Sequence, residues 1–521
     1  MTDAFITPTA LSMEAPAAIS ERRGMVLVIV LVVVSLLALA ALTFSQLMLA
    51  ERGATELTSR RMQARMLAES GIDYVRTMLI LDELSLDERG GIYDNQYELS
   101  GYLVVDDADL RDRGRFAIIS PNLESGYYSG IRFGLEDEST KLNLNAVAAF
   151  DAQEGIGRDI LLTLPGMTDE IADAILDWID EDDEQREFGA ESDYYSALVP
   201  GYAPKNGPLD SIDELLLVRD VTESLLYGVD ANRNYHADST EPDSQSLLDV
   251  DNTDGAMSRG WSAYLTVHSY ESNTTEDGEA KIDLNQDDLE TLYDEVAEAL
   301  SEDWAAFIVG YRQNGTSADT QGSDPPARNS INFEGEAGQE ISSVLDLVGV
   351  GTQINTTQGG GNPTQLAPML EENSGNLETE LTMLLDAVTV SSEEAISGRI
   401  NINQASRTVL LAIPGMTEEV ADQILYNRFE DPTEADEDQS YSVWPLLKDL
   451  VDLETMKSLE RFICTGGAVY RGQAVGYFDA GGPYARIEFL IDATQSPPSV
   501  LSWNDIGHLG QGYPLEMLGI E

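Results

Sequence analysis

The chain has 521 residues, enough for roughly two to four domains and a sizeable hydrophobic core. Its 93 Asp and Glu residues outnumber 30 Lys and Arg residues, which gives a formal net charge of −63. A surface of this sign repels phosphate, so nucleic acid and anionic lipid headgroups are excluded as partners attracted by charge alone. Hydrophobic residues make up 42% of the chain, as in a folded protein, and the single Cys464 excludes an internal disulfide.

One uncharged apolar stretch, MVLVIVLVVVSLLALAALTF, runs from Met25 to Phe44. At about 1.5 Å per helical residue it matches a hydrocarbon core of roughly 30 Å, so we expect a transmembrane helix over residues 25–48. Arg22 and Arg23 precede it, which predicts a cytoplasmic N-terminus and a body on the opposite side of the membrane. Apolar residues at mixed three- and four-residue spacings follow, so the helix should continue as an amphipathic segment.

The junction Arg22-Arg23-Gly24-Met25 resembles the type IV prepilin cleavage site, where a peptidase cuts after the glycine and the new N-terminus is methylated. This resemblance implies a leader over residues 1–24 and Met25 as the first mature residue. Ile29 then occupies the fifth mature position, where most pilins and pseudopilins carry a glutamate. An uncleaved signal anchor is the alternative interpretation of this segment.

Short antiparallel strands are expected on both sides of a central helical region. Before that region, YELSGYLVV (97–105), GRFAIIS (114–120) and SGIRFGLED (129–137) alternate or run apolar between turn residues. Near the C-terminus, residues 468–477 and 486–491 flank a Gly-Gly-Pro turn and predict a hairpin. We expect this hairpin to complete the sheet begun earlier in the chain, so that the helical region is an insertion.

The central region contains three related units. They are KLNLN (141–145) with LLTLPGMTDEIADAILDWID (161–180), KIDLN (281–285) with ALSEDWAAFIVGYR (299–312), and RININ (399–403) with LLAIPGMTEEVADQILYNRF (410–429). The middle copy is degenerate because it has lost the Pro-Gly pair. In the other two, Pro165-Gly166 and Pro414-Gly415 predict a tight turn between two helices, the second of which is capped by Thr168 or Thr417.

Such helix-hairpin-helix units often bind DNA, because backbone amides at the turn can hold a phosphate. Here acids follow both caps, as Asp169 and Glu418 show, and no Lys or Arg lies next to either turn in the sequence. Phosphate neutralisation requires such basic residues. We therefore expect the hairpins to serve structure or protein contacts and to bind no nucleic acid.

Acidic residues concentrate after the first hairpin. Asp180, Asp182, Asp183, Glu191 and Asp193 offer the oxygen ligands that calcium prefers, with Trp178 and two tyrosines to anchor the loop. A solvated acidic loop is the alternative. No catalytic constellation accompanies them, since the three histidines are scattered and the chain has no nucleophile elbow, phosphate-binding loop or cysteine cluster. We expect no enzyme activity, and calcium is the one cofactor that these residues suggest.

The motifs around the first unit resemble the K-type minor pseudopilins of type II secretion systems. They are Leu142-Asn143-Leu144-Asn145, Asp177-Trp178-Ile179-Asp180, Gly189-Ala190-Glu191-Ser192-Asp193-Tyr194-Tyr195, Pro208-Leu209-Asp210-Ser211 with Glu214-Leu215, and Ile400-Asn401-Ile402-Asn403. Together with the N-terminus they span most of the chain and occur in the family's order. The extra middle unit and the loop Gly351–Leu366 depart from the family pattern, and their roles stay open. The lack of glutamate at Ile29 agrees with the K-type subunit, which sits at the filament tip.

The resemblance implies an α+β fold with a long N-terminal transmembrane and amphipathic helix, a pilin-like antiparallel sheet and a large inserted α-helical domain with helix-hairpin-helix (SAM-like) repeats. The expected domains are the leader 1–24, the transmembrane helix 25–48, the pilin-like helix and first strands 49–140, the first inserted unit 141–250, the middle repeat and polar loop 251–398, the second helix-hairpin-helix unit 399–465, and the completing strands 466–521.

The function implied is that of a minor pseudopilin at the tip of the type II secretion pseudopilus, initiating and capping its assembly for export of folded proteins. The implied partners are other minor pseudopilins, the major pseudopilin, the inner-membrane secretion platform, prepilin peptidase and inner-membrane lipid. The implied location is a single pass through the inner membrane with a periplasmic body. A membrane-anchored DNA receptor of the competence type is the alternative, and an envelope hydrolase is a more distant third.

Overall fold

The computed structural model describes residues 21–236, 241, 259–317, 322–335, 337–357, 363–372, 374–435 and 437–519. Most of the expected leader, the end of the first inserted unit and part of the loop Gly351–Leu366 lie outside these residues. The chain divides into two compact units, residues 1–63 and residues 64–521.

Helices and strands are numbered here in chain order. Among the described residues the α-helices are α1 Glu21–Met78, α2 Glu83–Asp87, α3 Gln96–Leu99, α4 Leu144–Glu154, α5 Gly157–Leu161, α6 Asp169–Ile179, α7 Ser192–Ser196, α8 Glu223–Tyr227, α9 Leu289–Ala299, α10 Glu302–Asn314, α11 Leu377–Ala387, α12 Arg407–Leu411, α13 Glu418–Asn427, α14 Trp444–Leu447 and α15 Leu453–Glu460. The strands are β1 Tyr102–Val105, β2 Gly114–Glu124, β3 Tyr127–Arg132, β4 Glu136–Asp137, β5 Leu142–Asn143, β6 Leu265–Thr266, β7 Tyr270–Ser272, β8 Ile282–Asp283, β9 Thr316–Ser317, β10 Gly351–Ile354, β11 Thr364–Leu366, β12 Val388–Thr389, β13 Ala395–Ser397, β14 Ile400–Asn401, β15 Ile463–Cys464, β16 Val469–Phe478, β17 Ala485–Asp492 and β18 Ser499–Asp505.

The first unit contains the apolar part of α1. Within the described residues, α1 is the one helix long and apolar enough to cross a membrane, with a mean hydropathy of 3.3 in its most apolar window. That window has none of its surface buried by the rest of the protein. Leaving about twenty apolar side chains in water is unfavourable, whereas a bilayer accommodates them. The predicted membrane-spanning helix is therefore present as a single N-terminal apolar helix.

The second unit is organised around one curled antiparallel sheet. Its strands follow the order β1-β2-β16-β17-β18, with β3 paired to β2 and β4 paired to β16. Phe116 faces Gly476 and Ala117 faces Val475 across the β2–β16 pair, so the C-terminal hairpin completes the sheet as expected. Gly476 permits α1 to approach closely, because a Cβ there would lie 2.0 Å from the carbonyl oxygen of Ala64.

Two strand predictions differ from the structure. Residues 97–105 are not one strand, because the Asn95 side chain accepts a hydrogen bond from the Glu98 amide and starts α3, leaving only β1 extended. The edge strand β18 has no counterpart in the sequence prediction. Every residue of β18 is exposed, so it lacks the buried face that creates a recognisable alternation.

The helical region is inserted between β4 and β16, as expected, and has one continuous hydrophobic core from Leu142 to Ile463. Each of the three related units opens with a short strand and returns through a second strand that pairs with it in parallel: β5 with β6, β8 with β12, and β14 with β15. The helix starts also correspond, since Thr168, Ser301 and Thr417 each cap the helix that follows. The middle unit has kept this framework despite losing the Pro-Gly pair.

A buried ionic cluster lies where the sheet meets the inserted region. Lys141 Nζ donates to Glu136 at 2.7 Å and to Glu138 at 2.9 Å, and Arg471 Nε donates to Glu138 at 2.7 Å. Arg259 approaches Glu136 at 3.4 Å. Burial acts to raise the pKa of Glu138, but the two cations outweigh it and hold that pKa far below its usual range.

Candidate functional site

The acidic segment predicted to bind a cation follows α6. Thr168 caps α6, and every residue from Ile171 to Ile179 is buried. The Trp178 ring packs edge-on against Tyr195, with ring centroids 5.0 Å apart. Burial of these rings fixes where α6 ends and where α7 begins, and so holds the ends of the acidic loop together.

Three carboxylates converge at this point. Oxygen atoms of Asp177, Asp180 and Glu191 lie within 4.8 Å of one another, and Glu191 is 4% exposed. Gly189 is required beside them, because a Cβ there would stand 1.8 Å from Asp177 Oδ2. We call Asp177, Asp180 and Glu191 the carboxylate pocket.

Among the described residues, Arg186 is the cation that contacts this pocket. Its Nη1 donates to Asp177 Oδ1 at 2.7 Å and to Asp180 Oδ2, and its Nη2 donates to Asp151 Oδ2 at 3.0 Å. Burial acts to lower the pKa of Arg186, but these hydrogen bonds outweigh it and raise the pKa. Arg186 therefore stays charged in the folded protein.

Glu191 has no such partner. Both of its Oε atoms are buried without a hydrogen bond of normal geometry from the described residues, and so is Asp180 Oδ1. Burial, together with the charges of Asp177 and Asp180, raises the pKa of Glu191 to about 7. Burial also raises the pKa values of Asp177 and Asp180. A buried carboxylate without a donor is costly, which is the condition a bound cation relieves.

The donor set fits calcium. Calcium takes six to eight oxygens at about 2.3–2.6 Å, so two ligand atoms on one ion are separated by no more than about 5 Å. The distances between oxygen atoms in the carboxylate pocket meet that limit. Three buried oxygens of the pocket, one of Asp180 and two of Glu191, accept no hydrogen bond of normal geometry and are free to bind a cation. The side-chain oxygen of Asn206 is also buried without a partner, and its amide nitrogen donates to the carbonyl of Asp182 at 2.8 Å in the same loop.

The structure brings together two of the five residues that the sequence indicated. Asp180 and Glu191 belong to the carboxylate pocket, whereas Asp182, Asp183 and Asp193 are exposed and lie outside it. Asp182 accepts the Glu184 amide at 2.7 Å, and Asp183 accepts the Ser192 hydroxyl at 2.7 Å, so both shape the loop. Sequence reasoning missed Asp177. Its spacing of three residues from Asp180 on the last turn of a helix was the available signal.

Both predicted turns are present. Gly166 and Gly415 have positive φ angles of 71° and 86°, which glycine adopts without strain. The Pro165 carbonyl accepts the Trp261 indole N–H at 2.8 Å, so the first turn is joined to the inserted core. The turns follow the short helices α5 and α12 and precede α6 and α13, as the sequence predicts. Their assignment to the helix-hairpin-helix class stays a prediction.

An arginine does approach each of the two helix starts in space. Arg158 pairs with Asp169 at 2.8 Å, and Arg407 pairs with Asp422 at 2.8 Å and approaches Glu418 at 3.7 Å. Each guanidinium is thus already neutralised by acids of the following helix. This arrangement gives the DNA-receptor alternative no support, because phosphate binding needs cations that are not held by acids.

At the N-terminus, α1 includes Gly24, Met25 and Ile29. Ile29 is 54% exposed within the protein. This helix carries no charged residue from Met25 to Phe44, and its large apolar side chains there are exposed within the protein.

An apolar N-terminal helix and a curled antiparallel sheet with a large helical insertion form the architecture expected of a pilin-like subunit. Comparison with known proteins adds matches in sequence. Residues 140–229 match the first domain of the family described as type II secretion system (T2SS), protein K. Type II secretion system protein K of Klebsiella pneumoniae is 23% identical over 236 residues, which cover 44% of this chain and 69% of that protein.

These two matches support a minor pseudopilin similar to type II secretion system protein K. The protein K family consists of structural pseudopilins and is not known for enzyme activity. Among solved structures, the GspK-GspI-GspJ complex from the enterotoxigenic Escherichia coli type 2 secretion system aligns with 87% of this chain and 99% of the matched chain. The TM-score is 0.40 and the sequence identity is 14%.

Proposed function

We propose that this protein K-family subunit occupies the tip of the type II secretion pseudopilus, where it initiates and caps assembly for export of folded proteins. The observation that carries the proposal is Ile29 in the apolar part of α1. In a pilin-type filament an acid at this position pairs with the N-terminal amine of the subunit above. A subunit with an isoleucine there cannot supply that acid.

The physical argument concerns an amine buried without a partner. Inside a helical stack, the amine of a neighbouring subunit would be removed from water with no carboxylate to pair with, and an unpaired buried charge costs several kcal/mol. A subunit with nothing above it meets no such amine. Position 29 can therefore be apolar at the tip but not along the shaft.

The size of the body supports the same position. The inserted region runs from β5 to β15 with its own core, in addition to the sheet that packs on α1. A body of this bulk should clash with identical copies one filament step away. We infer one copy per filament, in contact with other minor pseudopilins and through them with the major pseudopilin.

The anchor and its processing belong to the same proposal. Prepilin peptidase would remove residues 1–24, Met25 would be methylated, and the apolar part of α1 would cross the inner membrane with the body in the periplasm. Before assembly this helix contacts lipid. During assembly the subunit is taken up by the inner-membrane secretion platform.

The test is labelling of the protein along isolated pseudopili, with the major pseudopilin labelled in parallel as a control for access. We expect an end-only signal for this subunit and regular decoration for the major one. Regular decoration of the shaft by this subunit would refute the tip position.

We further propose that the carboxylate pocket binds calcium. A cation bound only to the native state raises the melting temperature as its concentration rises. We expect this increase for the wild-type chain and for D193N, which changes an exposed acid outside the pocket, but not for E191Q. Equal responses of D193N and E191Q would show that calcium acts on the acidic surface generally and not at this pocket.

A further inference from the structure

Arg186 donates hydrogen bonds to the same carboxylate oxygens that a divalent cation would need as ligands. Its guanidinium bridges Asp177 Oδ1 and Asp180 Oδ2 and continues to Asp151. The Arg186 amide also points at Asp177, at 3.3 Å from Oδ2. In this arrangement the loop supplies its own cation to the acids at the end of α6.

The buried oxygens of this loop that accept no hydrogen bond of normal geometry are too few to fill a calcium shell from protein atoms alone. Asp180 contributes one, Glu191 contributes two and Asn206 contributes one, which is four in total. Calcium takes six to eight ligands and commonly binds carboxylates through both oxygens. Completing its shell from protein atoms requires the oxygens of Asp177 and Asp180 that now accept from Arg186.

The charges of the two cations oppose joint occupancy as well. A guanidinium within hydrogen-bond reach of Asp177 and Asp180 would stand a few ångströms from an ion held by the same carboxylates. Repulsion between a single and a double positive charge at about 5 Å is substantial even at the effective dielectric constant of about 20 that suits protein sites. Desolvation of the pocket reduces the screening of this repulsion.

We propose that Arg186 is the internal counter-cation of the carboxylate pocket and that it must release Asp177 and Asp180 when a divalent cation binds. This inference rests on the proposed calcium site. Arg186 thereby sets the affinity of the site: it holds the loop folded in the absence of metal and competes with metal when metal is present. Asp151, which Arg186 also contacts at 3.0 Å, is where the guanidinium stays once it is displaced.

The matched control is Arg158, another arginine beside α6. It pairs with Asp169 at 2.8 Å and lies 3.4 Å from Asp173, but it contacts none of the three pocket residues. R158Q and R186Q remove the same charge from the same neighbourhood. A general electrostatic effect changes calcium binding equally in both, whereas direct competition changes it in R186Q alone.

The experiment is calorimetric titration of the full-length chain in detergent micelles with calcium chloride, for wild type, R186Q, R158Q and R186K. E191Q provides the background from the other acids. We expect R186Q to bind calcium at least about tenfold more tightly than wild type, and R158Q to differ by less than about threefold. R186K keeps the positive charge but lacks the planar guanidinium that donates to two carboxylates at once. Its calcium affinity should therefore lie between those of wild type and R186Q.

Melting curves in chelator keep the inference testable if R186Q folds poorly. R186Q should melt at a lower temperature than wild type without calcium, and saturating calcium should remove most of that difference. Unchanged or weaker calcium binding by R186Q, with wild type still binding, would overturn the competition while leaving the calcium site intact. No binding above the E191Q background in any variant would overturn the site itself, and the competition with it.

Discussion

The ionic cluster between the sheet and the inserted region should be a major determinant of stability. The change that tests this is E138Q, which removes one charge and almost no volume. Glu138 is fully buried and accepts from Lys141 at 2.9 Å, from Arg471 at 2.7 and 3.1 Å, and from the Thr266 hydroxyl. A glutamine presents an NH2 group to one of these donors and leaves two cations without their shared anion.

The expected magnitude follows from burial. Lys141 is 1% exposed and Arg471 18% exposed at the side chain, so water cannot replace the lost carboxylate. Removing one member of a buried ion pair costs about 3–5 kcal/mol of unfolding free energy. Glu136 and Glu488 remain near the two cations, at 2.7 Å and 3.6 Å, which favours the lower end of that range.

The control variant is D294N, which breaks an ion pair of similar geometry on the protein surface. Asp294 accepts from Arg328 at 2.6 and 2.7 Å, but its side chain is 56% exposed, and an exposed pair contributes about 0–1 kcal/mol. Urea unfolding of the full-length chain in micelles should show a large fall in midpoint for E138Q and almost none for D294N, with unchanged slopes. Equal shifts in the two variants, or a loss below about 1 kcal/mol in E138Q, would refute the reasoning.

Three further predictions concern the ends and the charge of the molecule. Mature protein should begin at Met25 and G24S should block processing, as N-terminal sequencing will show; an intact leader in a strain with active prepilin peptidase would favour a signal anchor. Full-length protein should show no salt-sensitive DNA binding at micromolar concentration in a fluorescence anisotropy assay, because the arginines beside both helix starts are paired with acids. Because the folded pKa of Glu191 is about 7, above its unfolded value, metal-free protein should lose up to about 3 kcal/mol of stability from this group as pH rises from 4.5 through 7, and E191Q should reduce the loss seen in melting curves.

The features predictable from the sequence were those with local signals. The apolar helix, the Thr168 and Thr417 caps and the two Pro-Gly turns are each encoded within a few residues, and the structure contains them. The completing hairpin was also predictable, because β16 and β17 are long enough to show their pattern. In these segments, local preference and tertiary packing agree.

Features that depend on distant partners were not predictable. The return strands β6, β12 and β15 are two residues long and carry no period, so only their pairing with β5, β8 and β14 identifies them. The same holds for Glu138, because two of its hydrogen-bond donors, Thr266 and Arg471, lie more than a hundred residues away. Burial of an acidic residue cannot be read from the sequence. For this reason the exposed Asp193 was predicted as a cation ligand, whereas the buried Asp177 of the carboxylate pocket was not.

The carboxylate pocket is an addition to a framework that the three related units share. Asp177 stands nine residues after its cap Thr168, and the residues nine after Ser301 and Thr417 are Gly310 and Tyr426. Gly310 is buried against β10, and Tyr426 is 87% exposed, so neither position retains a carboxylate in a polar pocket. The caps and paired strands that the units share therefore maintain the fold, whereas the segment between the end of α6 and α7 is particular to the first unit. Because substitutions in that segment leave the shared framework intact, loss of the carboxylate pocket should affect cation binding without dismantling the inserted region.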